Sequence, residues 1–127
     1  MLFLPSRELV FVVDDDLAML RGIARVLRQY GYDTVLLPSA EAFKNHNDLQ
    51  KAACIILDIN LNDGSGIELR RRLNAAGISV PVIYMTANDN PAVRAAALQS
   101  GCVAYLTKPF SAIALIEPLK RALAGPA

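Results

Sequence analysis

The 127-residue chain has no tryptophan, a single histidine (His46) and two cysteines, Cys54 and Cys102. A structural zinc site takes about four nitrogen or sulfur ligands, so this composition excludes one. Cys54 lies inside an apolar run, far from Cys102, and the two read as reduced core or near-core thiols. Charge of one sign is not in excess either: 13 basic and 12 acidic residues leave +1. That balance gives no global grip on nucleic acid or on an anionic membrane. Long hydrophobic runs are missing. Leu9-Val10-Phe11-Val12-Val13 and the stretch from Val80 to Met85, with Pro81 inside it, fall far short of the roughly 20 residues that cross a bilayer. Met1-Leu2-Phe3-Leu4-Pro5 has neither the basic start nor the apolar length of a secretory signal.

What is present is a core-forming chain. Hydrophobic residues make up 54% of it and charged residues 20%, which argues against disorder. The length suits one domain, expected over residues 1–127 with its core at about residues 8–123. No repeat, charge block or low-complexity tract interrupts it. Instead, five short apolar runs alternate with longer helical patterns. The runs are Leu9–Val13, Tyr32–Leu37, Cys54–Leu57, Val80–Met85 and Val103–Leu106. They are nearly continuously apolar, as strands buried on both faces of a parallel sheet are. The second is the most polar, as suits an edge.

Between the runs, Leu17, Leu20, Ala24 and Leu27 form one helical stripe, closed by Gly31. Leu69, Leu73 and Ala76 form another, closed by Gly77. Ser39, Asn90 (followed by Pro91) and Ser111 are placed to cap the remaining helices, and Gly101 to end the fourth. Pro118 predicts a kink or an early end in the fifth helix. The fold class is therefore α/β: a doubly wound, five-stranded parallel sheet with five helices. In such sheets ligands bind beyond the carboxyl ends of the strands.

Polar residues gather at those ends. Asp14, Asp15 and Asp16 follow the first run, Asp58 the third, Thr86 the fourth, and Thr107, Lys108 and Pro109 the fifth. Crowded carboxylates repel one another and call for a cation, and hard oxygen ligands suit magnesium. Carboxylates, a divalent cation, a lysine and a hydroxyl make a site for a phosphoryl group. A carboxylate can also act as nucleophile and form an aspartyl phosphate.

These residues carry a family resemblance. Val12-Val13-Asp14-Asp15-Asp16, Leu57-Asp58 with Asp63-Gly64-Ser65-Gly66, Tyr84-Met85-Thr86-Ala87, and Tyr105-Leu106-Thr107-Lys108-Pro109-Phe110 together resemble the receiver domain of two-component response regulators. The resemblance implies a flavodoxin-like sheet of order 2-1-3-4-5. It implies that Asp58 accepts phosphate, helped by Lys108 and Thr86. Asp15 and Asp58 would bind Mg2+ (or Mn2+) directly with the backbone carbonyl of Asn60, and Asp14 through water. Thr86 and Tyr105 would form the switch, Asn60 and Asn88 would tune the phosphoryl lifetime, and the Lys108–Pro109 peptide would be cis. One position departs from the family: Asn62 stands where a proline is usual.

The implied partners are a sensor histidine kinase or phosphotransfer protein, and a second copy through the face of the fourth helix, fifth strand and fifth helix. Nucleic acid and membrane are not expected partners, and the expected compartment is the cytoplasm. Apart from Mg-dependent self-phosphorylation and self-dephosphorylation, enzyme activity is not expected.

Two other functions compete. A receiver-like binding module independent of phosphorylation would have lost its acids, and this chain keeps them. An aspartyl-phosphate hydrolase of the haloacid dehalogenase type carries a second aspartate two residues after its nucleophile, where Asn60 stands here. Asp16 reads either as a helix cap or as part of the site. Arg70-Arg71-Arg72 reads as a solvated face, His46 as a surface residue, and Gly64-Ser65-Gly66 as a turn.

Overall fold

The structure is a computed structural model that describes residues 7–125; residues 1–5, read above for a leader, lie outside the described residues. Its strands are β1 (Leu9–Val13), β2 (Asp33–Leu37), β3 (Cys54–Asp58), β4 (Val82–Thr86) and β5 (Ala104–Thr107). Its helices are α1 (Leu17–Gln29), α2 (Ala40–Lys44), α3 (Gly66–Ala75), α4 (Pro91–Ser100) and α5 (Ala112–Ala124). The strands pair in parallel in the order 2-1-3-4-5. Each apolar run becomes one strand. The fourth begins only after Pro81, which has no N–H for the ladder and offers its carbonyl to the Ile55 amide instead. A two-residue pairing of Asn60–Leu61 with Gly64–Ser65 lies between β3 and α3.

Both sheet faces are covered, which explains the unbroken apolar runs. Alternate residues of each strand serve opposite cores. Val10, Val12, Ile56 and Met85 meet Leu20, Ile23 and Leu27 of α1 and Leu115 and Leu119 of α5. Phe11, Val13, Leu57 and Tyr84 meet Phe43 of α2, Leu69 and Leu73 of α3, and Ala97 of α4. Truncating a side chain such as Leu69 to alanine costs about 2–5 kcal/mol. Cys54 is buried within this core, and burial pushes its thiol up to about 12, so it is inert at neutral pH.

The helix ends follow their sequence signals. Asp16 Oδ1 accepts the amides of Ala18 and Met19 at 3.0 and 3.2 Å and caps α1. Ser39, Asn90 and Ser111 cap α2, α4 and α5. At the end of α1, Gly31 takes φ 88°, its amide bonds Arg28 O, and the Tyr32 amide reaches back to Leu27 O. α3 closes the same way through Gly77 and Ile78.

Five expectations need correction. Leu17 is 55% exposed, because it occupies the first turn of α1 beyond the strand ends; Ile23 fills its place in the buried stripe. Ala76 is the exposed C-cap of α3, and Ile78, after the closing glycine, packs on the core instead. Pro118 does not shorten α5, which runs through it with the ring buried. His46 is half-buried: its ring lies edge-on to Phe11 at 4.9 Å, and its Nδ1 accepts the Asp48 amide. Arg70 is no solvated side chain, since it donates to the carbonyls of Gly101 and Val80, both at 2.9 Å, and ties α3 to its neighbours.

Candidate phosphoryl site

The strand order reverses at β1 and β3, and the site forms where these strands end. Asp14 follows β1 and is fully buried. Asp58 is the last residue of β3, Thr86 the last of β4, and Lys108 follows β5. Carboxylate oxygens of Asp14, Asp15 and Asp58 lie within 4.8 Å of one another, a spacing and a hard-oxygen set that fit a divalent cation.

Lys108 Nζ donates to Asp14 Oδ2 at 2.7 Å and to Asp58 Oδ2 at 3.0 Å. Backbone amides take other oxygens of the cluster. The Asp16 amide donates to Asp14 Oδ1, and the Asn60 amide to Asp58 Oδ1. Burial raises the Asp58 carboxyl above the usual carboxylate range, although Lys108 and the Asn60 amide oppose the shift. Burial works against the Lys108 ammonium, but its bonds to Asp14 and Asp58 outweigh that and raise its pKa.

Thr86 is fully buried beside this cluster. Its Oγ1 accepts the Asn60 side-chain amide and the Asn88 backbone amide, each at 3.0 Å. Both bonds are received, so neither uses the hydroxyl's own proton. The side chain of Asn60 is therefore committed to Thr86. Tyr105 is held elsewhere: its hydroxyl donates to Asp89 Oδ1 at 2.9 Å, and the Arg94 guanidinium sits 4.7 Å over its ring. Arg94 also pairs with Asp89 at 3.2 Å. The Lys108–Pro109 peptide is cis.

Three features of the site escaped the sequence. The Asn62 amide, a donor that proline would lack, bonds Asp15 Oδ2 at 2.6 Å. Asp63 caps α2 from another loop, accepting the Ala40 and Glu41 amides at 2.8 and 3.0 Å, and these bonds hold its carboxyl below the usual range. Gly66 lies so close under the site that a Cβ there would stand 2.3 Å from the Asp58 carbonyl oxygen. Only the departure from proline at Asn62 gave a signal in advance.

Comparison with known proteins agrees with this geometry. Residues 10–120 match the model of the response regulator receiver domain, and the chain belongs to that family. It is 32% identical over 120 residues to the transcriptional regulatory protein FixJ of Azorhizobium caulinodans, covering 94% of this chain and 57% of that protein. It is 28% identical over 116 residues to the response regulator protein TodT of Pseudomonas putida, covering 91% and 51%. The chain thus spans about half the length of the curated relatives it matches.

Among solved structures, the BeF3-activated receiver domain of DrrB from Thermotoga maritima superposes with TM-score 0.85 at 28% identity, covering 94% of this chain and 99% of that one. A receiver domain protein from Methanospirillum hungatei gives 0.83 at 25% identity, covering 94% and 95%. The described fold and the matched residues are those of a response regulator receiver domain. Among the described residues, no helix is long and apolar enough to cross a membrane.

Proposed function

We propose that Asp58 accepts a phosphoryl group from the phosphohistidine of a sensor kinase or phosphotransfer protein. The observation that carries this reading is the Lys108 ammonium bridging Asp14 and Asp58 at the ends of adjoining strands. The Asp58 carboxylate oxygen attacks phosphorus, the P–N bond breaks, and the imidazole leaves with a proton. Asp15, Asp58 and the Asn60 carbonyl, with Asp14 through water, are the groups to hold Mg2+ or Mn2+. A bound divalent cation supplies charge neutralisation between the anionic nucleophile and the anionic donor.

Lys108 takes a second phosphoryl oxygen, exchanging Asp58 for the product. Thr86 donates its uncommitted proton to a third, which pulls on the Asn60 and Asn88 bonds it receives. Rearrangement there frees Tyr105 from Asp89 and shifts the balance between two conformations of the receiver. Hydrolysis returns Asp58 when water attacks phosphorus and the bond to the carboxylate breaks. Asn60 and Asn88 set its rate through Thr86, and substituting either changes the dephosphorylation rate.

In this reading residues 8–123 act as one unit in the cytoplasm. Two copies associate through α4, β5 and α5, where Leu98 and Ile113 are exposed. The chain itself makes no contact with nucleic acid or membrane.

Incubation with acetyl phosphate and Mg2+, followed by intact-mass measurement, tests the proposal. One added phosphoryl group is expected, absent without the metal and absent in Asp58→Asn. A folded, metal-binding protein that no acyl phosphate or phosphohistidine protein labels would instead be a binding module. Continuous phosphate release without an adduct would be hydrolase behaviour.

A further inference from the structure

Helix α1 contains no acidic residue and three arginines, Arg21, Arg25 and Arg28, spaced i, i+4 and i+7. All three are exposed, and among the described residues none is ion-paired. Like charges at this spacing repel along a helix, so the row is unfavourable until an anion meets it. The arginines line a groove of about 500 Å³ with Gln29 on the same helix, buried Ala24 as its small floor residue, and Leu36 of β2 as its far wall.

The neighbour across the groove is an open strand. β2 ends the sheet, and among the described residues no strand pairs with its outer side. The Asp33 amide bonds Glu8 O and the Leu37 carbonyl accepts the Asp14 amide, so residues 33, 35 and 37 turn their backbone groups toward β1. Thr34 and Leu36 therefore turn theirs outward. Arg21 and Arg25 stand roughly 6 Å apart along the helix axis. Same-face side chains of an extended chain repeat at roughly 6.7 Å. Acids at alternate positions of an added strand would meet Arg21 and Arg25, and Arg28, roughly 4.5 Å further along the axis, would reach the next acid through its long side chain.

We propose that this groove binds an acidic segment of another polypeptide in extended form, paired along the β2 edge with alternate carboxylates on Arg21, Arg25 and Arg28. A peptide fits better than a nucleic acid on two counts. The chain's net charge of +1 sets up no broad field to gather a polyanion. Outward amides and carbonyls of a strand edge pair with a peptide backbone. The site is independent of the phosphoryl chemistry at Asp58.

The probe is a blocked seven-residue peptide alternating glutamate and valine, titrated into the isotope-labelled protein. Binding should weaken as salt rises and fall at least tenfold in the combined Arg21→Gln, Arg25→Gln, Arg28→Gln variant, whose helix content stays unchanged by circular dichroism. Hydrogen exchange at the Thr34 and Leu36 amides should slow when the peptide is bound. Any of four results overturns the proposal: no binding, binding that survives in the triple variant, binding without protection of those two amides, or equally tight binding of a single-stranded oligonucleotide of the same charge.

Discussion

Replacing Asp58 with asparagine is expected to stabilise the metal-free protein while removing its capacity to take a phosphoryl group. Folding brings the Asp58 carboxylate within 4.8 Å of those of Asp14 and Asp15, with Lys108 as the ammonium set between them. At an effective dielectric constant of about 20, each like-charge pair at that distance costs roughly 3.5 kcal/mol. The 3.0 Å lysine contact returns roughly 5.5 kcal/mol. Two repulsions against one attraction leave about 1–2 kcal/mol in favour of removing the charge, and desolvation adds to it.

The pH dependence has a fixed sign. Burial raises the Asp58 carboxyl, so its stabilising contribution is complete below its unfolded-state value and is lost as pH rises through the folded-state value. Parent and variant should therefore match in acid and diverge toward neutrality, with the variant ahead. Urea denaturation in EDTA across this range measures the gap, and Mg2+ should narrow it by favouring the parent. A variant less stable than the parent at neutral pH, or a gap that ignores pH, would refute the reasoning.

Other perturbations follow from single contacts. Gly66→Ala forces a Cβ against the Asp58 carbonyl and should cost about 3 kcal/mol or more by denaturant titration; an unchanged midpoint would contradict the close approach. Asp63→Asn loses the charge on the α2 cap and should lower Tm at neutral pH. Because the Asp63 carboxyl is depressed, the parent gives up this advantage as pH falls through the folded-state value, and the two Tm curves should converge in acid. Asn62→Pro removes the amide that occupies an oxygen of Asp15 and should tighten Mg2+ binding about threefold to tenfold by calorimetry, the worth of roughly one hydrogen bond; weaker binding would show that the amide positions Asp15 instead.

Much of this structure was legible in the sequence, for physical reasons. Strands covered on both faces must be apolar nearly throughout, so the runs Leu9–Val13 and Cys54–Leu57 announced themselves. Caps at Asp16, Ser39, Asn90 and Ser111 depend on neighbours two or three residues away, which a linear reading can see. Asp14, Asp58, Thr86 and Lys108 share a site because parallel strands bring all their carboxyl ends to one edge.

What stayed hidden depends on contacts made across the fold. Arg70 looks like its neighbours Arg71 and Arg72 until Gly101 and Val80 present their carbonyls to it. Asp63 looks like part of a turn until α2 brings its amides alongside. Leu17 has the right helical angle for the core, but the sheet ends before reaching it.

The central claim is that Asp58, among the clustered acids, is the nucleophile. Its most direct test is to locate the modification. The protein is phosphorylated with acetyl phosphate and Mg2+, reduced with borohydride, which converts an aspartyl phosphate to homoserine, and mapped by peptide mass spectrometry. Homoserine at position 58 alone, with Asp14, Asp15 and Asp16 intact, is the predicted result. Homoserine at any of those three positions, or a stable phosphate on a histidine, serine or threonine with Asp58 unmodified, would contradict the account.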